Sequence, residues 1–155
     1  MLGTEKFIAD ALAWLHDPKT TMDQAVAMHE RLYRLHEDGE LSADDIGEIA
    51  RNDRFFLLTR VLNRIDIKHP WLYERVREVE ADPDDYLDLW AREHGKSSII
   101  TFGGIVQEIL RNPEITIGIF SHTKPVARKF LIQIKTEFET NQKWKSINPD
   151  IFSSE

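Results

Sequence analysis

The run Asp82-Pro83-Asp84-Asp85 divides the chain into two segments with different hydrophobic patterns. Proline lacks a backbone donor and aspartate side chains bond to nearby backbone groups, so such a run favours a turn. Before it, apolar residues recur at helical spacing. After it, short β-branched runs alternate with helical patterns, which is typical of βαβ units around a parallel sheet. The pattern predicts a helical region at residues 1–81 and an α/β region at residues 82–155.

Five helices are predicted in the first region from apolar faces and from residues that begin or end helices. The second helix has the clearest start, because Thr21 and Gln24 have the spacing of a capping box. Met22, Ala25 and His29 then lie on the same predicted face as the leucines that follow. Further boundaries are predicted at Pro18, Gly39, Ser42, Asp53 and Pro70.

The second region is predicted to contain two strands, at residues 86–90 and 115–120, and two helices. The first helix is predicted at residues 97–111 and ends at Asn112-Pro113; the second begins at Thr123 and Pro125. Residues 141–155 show no clear period, so they are predicted to be a loop or a frayed helix. Two strands alone do not make a stable sheet, so this α/β region is expected to be incomplete.

The tripeptide Gly95-Lys96-Ser97 stands where a predicted strand and loop lead into a predicted helix. In a phosphate-binding loop glycine lets the backbone approach the phosphates, lysine reaches the β and γ phosphates, and the hydroxyl binds Mg²⁺. A helix N-terminus disfavours cations unless an anion is bound, so Lys96 and Arg92 together suggest a polyphosphate ligand. The full pattern requires glycine at position 90, where this chain has Trp90; the plain alternative is a helix with an exposed lysine in its first turn.

Charge and composition limit the other functional classes. The chain has 155 residues, no cysteine and a net charge of −7, so disulfides and thiolate metal sites are impossible. Residues 1–85 have a balance of −8 and the remainder a balance of +1, so a nucleic-acid contact is expected only in the second region. The basic residues of the last long helix are more simply interpreted as a solvated face. No apolar run approaches the roughly 20 residues of a membrane span.

From about Asp66 to Glu139 the chain resembles the start of the ATPase domain of large terminase subunits, the DNA-packaging motors of tailed bacteriophages. Two motifs carry the resemblance: the modified phosphate loop from Ala91 to Ser97, and Ile117-Gly118-Ile119-Phe120-Ser121-His122-Thr123. Terminases typically lack the first glycine of the phosphate loop and have an arginine near its start, as Arg92 stands here. The resemblance implies a truncated P-loop NTPase of the α/β class, with a helicase-like parallel sheet of about two strands behind an all-helical N-terminal region.

The resemblance also implies ligands, partners and a location. ATP and Mg²⁺ would be the cofactors, with Ser97 as the metal ligand and Arg92 as a cation on the γ-phosphate during hydrolysis. Double-stranded phage DNA, the small terminase subunit and the portal would be the partners of the full-length motor in the host cytoplasm, with no membrane contact. The residues expected to bind the nucleotide are Ala91, Arg92, Glu93, His94, Gly95, Lys96, Ser97 and Ser98.

One family motif is absent from the sequence. No apolar run ending in two acids follows Phe120, although the family uses such a pair to hold Mg²⁺ and to polarise the attacking water. The chain is therefore expected to be a truncated or excised fragment, or a prophage remnant, that binds nucleotide without turning it over. Two alternatives remain open: a non-catalytic module that binds other packaging proteins, and a fragment of another helicase-like P-loop ATPase. Trp71 and Tyr73, which could stack on adenine, are more simply interpreted as core residues.

Overall fold

A computed structural model describes residues 2–81 and 94–148, and every regular element within these ranges is helical. Two of the helices contain a π-helical stretch: α4 continues into Leu57–Val61, and Ser97–Gly103 leads into α6. A single turn of 3₁₀-helix spans Ile65–Ile67. The α-helices are α1 Leu2–Leu15, α2 Met22–Glu37, α3 Ala43–Asn52, α4 Arg54–Phe56, α5 Pro70–Ala81, α6 Gly104–Arg111, α7 Lys124–Thr140 and α8 Gln142–Ile147.

The predicted helix starts in the first region are confirmed by their hydrogen bonds. The Thr21 side chain accepts from the Gln24 backbone, and Gln24 Oε1 accepts from the Thr21 backbone at 2.9 Å, so the capping box is complete. Ser42 forms a second box with Asp45 at the start of α3. Asp53 caps α4 by accepting from the Phe56 backbone at 2.8 Å. These bonds satisfy backbone donors that a helix start otherwise leaves unpaired.

One hydrophobic cluster joins helices from both sides of the predicted boundary. Helix α3 packs against α1 and α2 and also against α6 and α8. Gly47 permits the approach of α8, because a Cβ at that position would lie 2.7 Å from the carbonyl oxygen of Ile147. Among the fully buried side chains at the centre of the cluster are Ile8, Leu32, Ile49, Phe55, Phe56, Phe102 and Trp144.

The predicted α/β fold is wrong for the part of the chain that the structure describes, where no residue belongs to a strand or sheet. Residues 115–120 were predicted to be a strand, yet they have no regular secondary structure. Their β-branched side chains favour extended backbone, but a strand also requires a second segment that pairs with its backbone groups. Residues 86–90, the other predicted strand, lie outside the described residues.

The helices predicted in the second region are confirmed in position. Helical backbone covers residues 97–111 as expected, although its first seven residues are π-helical. The next long helix, α7, begins after Thr123 and ends at Thr140. Residues 142–147, which were predicted to be loop or frayed helix, form the short helix α8 with a fully buried Trp144. No helix within residues 2–81 or 94–148 is both long and apolar enough to cross a membrane.

Candidate phosphate-binding site

Gly95 is the last residue before a helical segment that continues to Arg111. Its φ of +72° lies in the left-handed region, which glycine adopts without a steric cost. A Cβ there would lie 3.2 Å from Ile67 Cδ1, so packing also favours glycine. The Gly95 carbonyl accepts from the Ile99 backbone at 3.0 Å, which makes it part of the first helical turn. Lys96 has helical dihedral angles, with φ −51° and ψ −51°.

The side chains at this helix start differ in exposure. Ser97 is exposed, whereas Lys96 and Ser98 are half-buried. His94 is exposed, and its ring meets Trp71 edge to face with 5.8 Å between centroids. Ala91, Arg92 and Glu93 lie outside the described residues, so the roles given to them stay predictions. The structure therefore places the five described residues of the predicted site, 94–98, on one short turn and the first residues of a helix.

Arg64 is a cation at this site that the sequence did not indicate. Its Nη2 donates to Ser98 Oγ at 2.6 Å and to Asp66 Oδ2 at 2.7 Å, while Nε donates to Asp66 Oδ1 at 2.9 Å. The pKa of Asp66 is lowered, chiefly because its carboxylate accepts these bonds from Arg64. Arg64 lies 34 residues before Ser98, and no local pattern could have linked the two.

Trp71 and Tyr73 differ from each other in burial. Tyr73 is buried, as predicted for a core residue, and its hydroxyl donates to the Thr20 carbonyl at 3.2 Å. Trp71 retains 37% of its surface, so the prediction that it is a core residue is wrong. It lies beside His94 because α5 starts next to the Gly95 turn.

A second polar arrangement lies inside the helical core. His29 Nε2 donates to Asp53 Oδ2 at 3.0 Å, and Arg77 Nη2 donates to the same oxygen at 3.0 Å. Burial alone would raise the pKa of Asp53, but the neighbouring His29 and Arg77 hold it well below its usual range through charge and hydrogen bonding. A histidine–carboxylate pair is also found in hydrolases, where the histidine contacts substrate. His29 and Asp53 are both fully buried, so this pair is structural.

The buried network continues from Arg77 to the helix that starts at the Gly95 turn. Arg77 Nη1 donates to Glu80 Oε2 at 2.9 Å, and Glu80 Oε1 accepts from the Arg54 backbone at 2.6 Å. Gln107 on α6 donates to Glu80 Oε1 at 3.3 Å and accepts from Arg54 Nε at 2.9 Å. Two arginines thus balance two carboxylates within the core, as buried charges require. The network fixes α6 against α3 and α5.

A cavity of about 730 Å³ lies between the α1–α2 turn and one face of α5. Its volume is in the range of small-molecule sites. His16, Thr20, Tyr73 and Arg77 contribute to its wall, and none of residues 94–98 does. His16 Nδ1 donates to the Leu12 carbonyl at 2.8 Å, which leaves Nε2 to accept from Arg77 at 3.3 Å. Tyr73 and Arg77 thus each form a hydrogen bond to another residue of the wall.

The predicted Mg²⁺ site does not coincide with a cluster of metal-binding side chains in the described ranges. No group of three or more histidine, aspartate or glutamate side chains is close enough there to hold a metal ion. Ser97 therefore stays a predicted Mg²⁺ ligand of the kind that acts together with phosphate oxygens.

Comparison with known proteins gave no match among family models, curated proteins or solved structures.

Proposed function

We propose that the chain is part of a phage large terminase and that its Gly95-Lys96-Ser97 segment binds the phosphates of ATP with Mg²⁺. One structural observation carries the proposal: a left-handed glycine directly precedes a helix whose first residues are a lysine and an exposed serine. The unpaired N–H groups and partial positive charge at a helix start favour an anion. The same three residues belong to the motif on which the resemblance to terminases rests.

The residues of the turn have separate roles in this proposal. The Lys96 amine contacts the β and γ phosphates, and the exposed Ser97 hydroxyl contributes an oxygen to Mg²⁺. Gly95 provides the left-handed backbone turn that leads into the start of the helix. The proposal concerns nucleotide binding, which these residues of the turn would provide. Packaging of double-stranded DNA with the small subunit and the portal in the host cytoplasm belongs to the same proposal.

Substitution of Lys96 by alanine is expected to weaken binding of Mg·ATP by about ten- to a hundredfold. A hydrogen bond to a charged group contributes about 1.5–3 kcal/mol, and 1.4 kcal/mol corresponds to a factor of ten. The measurement is a calorimetric titration of the chain and the Lys96→Ala variant with Mg·ATP. Adenosine, which lacks phosphates, is expected not to bind to either protein.

Lys129→Ala is the matched control, because Lys129 is an exposed lysine on α7. It is expected to leave ATP affinity unchanged. Circular dichroism and urea unfolding of both variants will show whether the helices are intact. Equal ATP affinity of the chain and a folded Lys96→Ala variant would remove the site assignment.

A second function, binding of another packaging protein, is favoured by exposed apolar residues. Phe120 retains 95% of its surface, Leu131 59% and Ile132 53%. Contiguous exposed apolar side chains are typical of protein contact surfaces, and Leu131 and Ile132 are neighbours on α7. The double variant Leu131→Ser/Ile132→Ser is expected to lose capture by the small terminase subunit or the portal in the absence of ATP, while Lys96→Ala retains it. Equal capture of the unmodified chain, the Leu131→Ser/Ile132→Ser variant and Lys96→Ala would contradict a contact surface at Leu131 and Ile132.

A further inference from the structure

The outward face of α1 combines two charged residues with two apolar ones. Lys6, Asp10, Ala13 and Trp14 are all exposed, and Trp14 retains 39% of its surface. Their successive steps of four, three and one residues place them on one side of the helix. Buried residues such as Ile8 lie on the opposite side, against the core. These four exposed residues are called the α1 stripe below.

The outward face of α7 carries a similar set at the same steps in reverse order. Leu131 and Ile132 retain 59% and 53% of their surfaces, and the exposed residues Lys135 and Glu139 follow them along the helix. Lys135 Nζ lies 3.6 Å from Glu139 Oε1, with 71% and 60% of these side chains exposed. Such an exposed ion pair contributes little to stability, so both groups can pair again at little cost. These four residues are called the α7 stripe.

The α1 stripe and the α7 stripe match each other when the two helices pack antiparallel. Because the steps along the two helices are the same in reverse, one register aligns all four positions at once. Two of the resulting layers are apolar, and the other two bring opposite charges together, which favours association of the two faces. The four pairs are Trp14–Leu131, Ala13–Ile132, Asp10–Lys135 and Lys6–Glu139.

The parallel orientation fits the charges less well. With the same apolar residues in contact, it would set Lys6 opposite Lys124, and both of these lysines are exposed. Like charges that face each other across an interface oppose association. The antiparallel register sets no like charges against each other within the two stripes. Charge therefore favours one orientation and one register.

The complement of each stripe is present on every copy of the chain. Both stripes are exposed in the structure, so α1 and α7 of the same copy do not cover each other. A second copy supplies an α7 stripe for the first copy's α1 stripe. The contact joins two different surfaces, so it is of the heterologous kind.

We propose that the α1 stripe of one copy packs antiparallel against the α7 stripe of a second copy. The contact involves one face of each helix, so association is weak and increases with protein concentration. A packaging protein that binds Leu131 and Ile132, as considered above, would compete with this contact. Self-association is measured on the purified chain alone, so its outcome is separate from capture of a packaging protein and from nucleotide binding.

A charge exchange between two variants tests the register. Asp10→Lys and Lys135→Glu each set like charges opposite one another, and each is expected to weaken self-association severalfold. An equal mixture of the two variants is expected to restore it, because the new lysine of one variant then faces the new glutamate of the other. The reciprocal contact in the mixture keeps its original pair. Sedimentation at increasing protein concentration measures association of the chain, of each variant and of the mixture.

Trp14→Ala tests the apolar layers. Loss of this side chain is expected to weaken self-association by about tenfold or more, since large aromatic residues dominate binding at interface centres. Trp71→Ala is the matched control, because Trp71 is similarly exposed, at 37%, and belongs to neither stripe. It is expected to leave association unchanged. Circular dichroism of both variants shows whether the helices are intact.

A chain that is monomeric at every concentration would overturn the proposal. Association that persists unchanged in Trp14→Ala would do the same, because another surface would then join the copies. The register would be wrong if the two charge variants associate as the chain does, or if their mixture fails to regain the association that each has lost. In either case the contact between the α1 stripe and the α7 stripe is excluded.

Discussion

Replacing Asp53 with asparagine is expected to lower the free energy of unfolding by about 3–5 kcal/mol, since breaking a buried ion pair leaves the partner charge uncompensated. Asp53 is fully buried, and its carboxylate accepts from His29 Nε2, Arg77 Nη2 and the Phe56 backbone. Asparagine has nearly the same shape, so the loss reports the charge and not a cavity. Because domains are stable by about 5–15 kcal/mol, the variant should be close to unfolding. Urea denaturation followed by circular dichroism measures the difference.

Asp66→Asn is the matched control for Asp53→Asn. Asp66 also pairs with an arginine, at 2.7 Å, but its side chain is 55% exposed, so the expected loss is within about 1 kcal/mol. The pH dependence adds a second test of Asp53. Its pKa is depressed in the folded protein, so its contribution is complete above the unfolded pKa of about 3.9 and is lost as pH falls toward the folded value. Equal losses of unfolding free energy for Asp53→Asn and Asp66→Asn would contradict the role given to the buried network around Asp53.

The difference in unfolding free energy between the chain and Asp53→Asn is therefore expected to be constant from about pH 7 to pH 5 and to narrow below about pH 4. Arg77, Glu80 and His29 are the charged or titratable groups of the network around Asp53. A difference that changes already between pH 7 and pH 6 would contradict this interpretation, because the Asp53 carboxyl group does not titrate in that range in either the folded or the unfolded chain. The same urea series at each pH provides the measurement.

Local signals account for the parts of the fold that the sequence predicted. The capping boxes at Thr21 and Ser42 and the cap at Asp53 involve residues within three positions of one another, so their hydrogen bonds follow from spacing alone. The same locality predicted the helix over residues 97–111 and the turn at Gly95. Besides capping a helix, Asp53 accepts buried hydrogen bonds from His29 and Arg77. Each of these residues is 24 positions away, and no sequence period links them to Asp53.

The strand predicted at residues 115–120 failed for a related reason. The preference of a β-branched residue for extended backbone is a property of that single residue, whereas a strand exists only when another segment pairs with it. The exposure pattern of the segment is that of a strand, and what is lacking within the described chain is the partner. For the candidate phosphate-binding site, the sequence predicted the turn and its lysine, but the Arg64–Ser98 contact arises from tertiary packing over 34 residues.

The short helix α8 shows how packing stabilises an element that has no period of its own. It has six residues, too few for a stable isolated helix, and the sequence around it reads as a loop. Two contacts of Asn141 fix its start: Oδ1 accepts from the Trp144 backbone at 2.9 Å, and Nδ2 donates to the Val61 carbonyl at 2.8 Å. Trp144 is then fully buried, with its ring edge to face against Phe138 at 4.8 Å.

Trp144→Ala is accordingly expected to lower the free energy of unfolding by about 3–5 kcal/mol, through lost apolar burial and the cavity that remains. The loss should come with release of α8 from α3, because Gly47 brings the two helices into close contact at Ile147. Urea denaturation gives the energy, and hydrogen exchange at residues 142–147 reports the helix. Trp14→Ala is the control, since Trp14 retains 39% of its surface and should cost within about 1 kcal/mol. An equal loss of unfolding free energy for the two variants would contradict the packing of α8 on α3. The close contact at Gly47 would then have no role in stability.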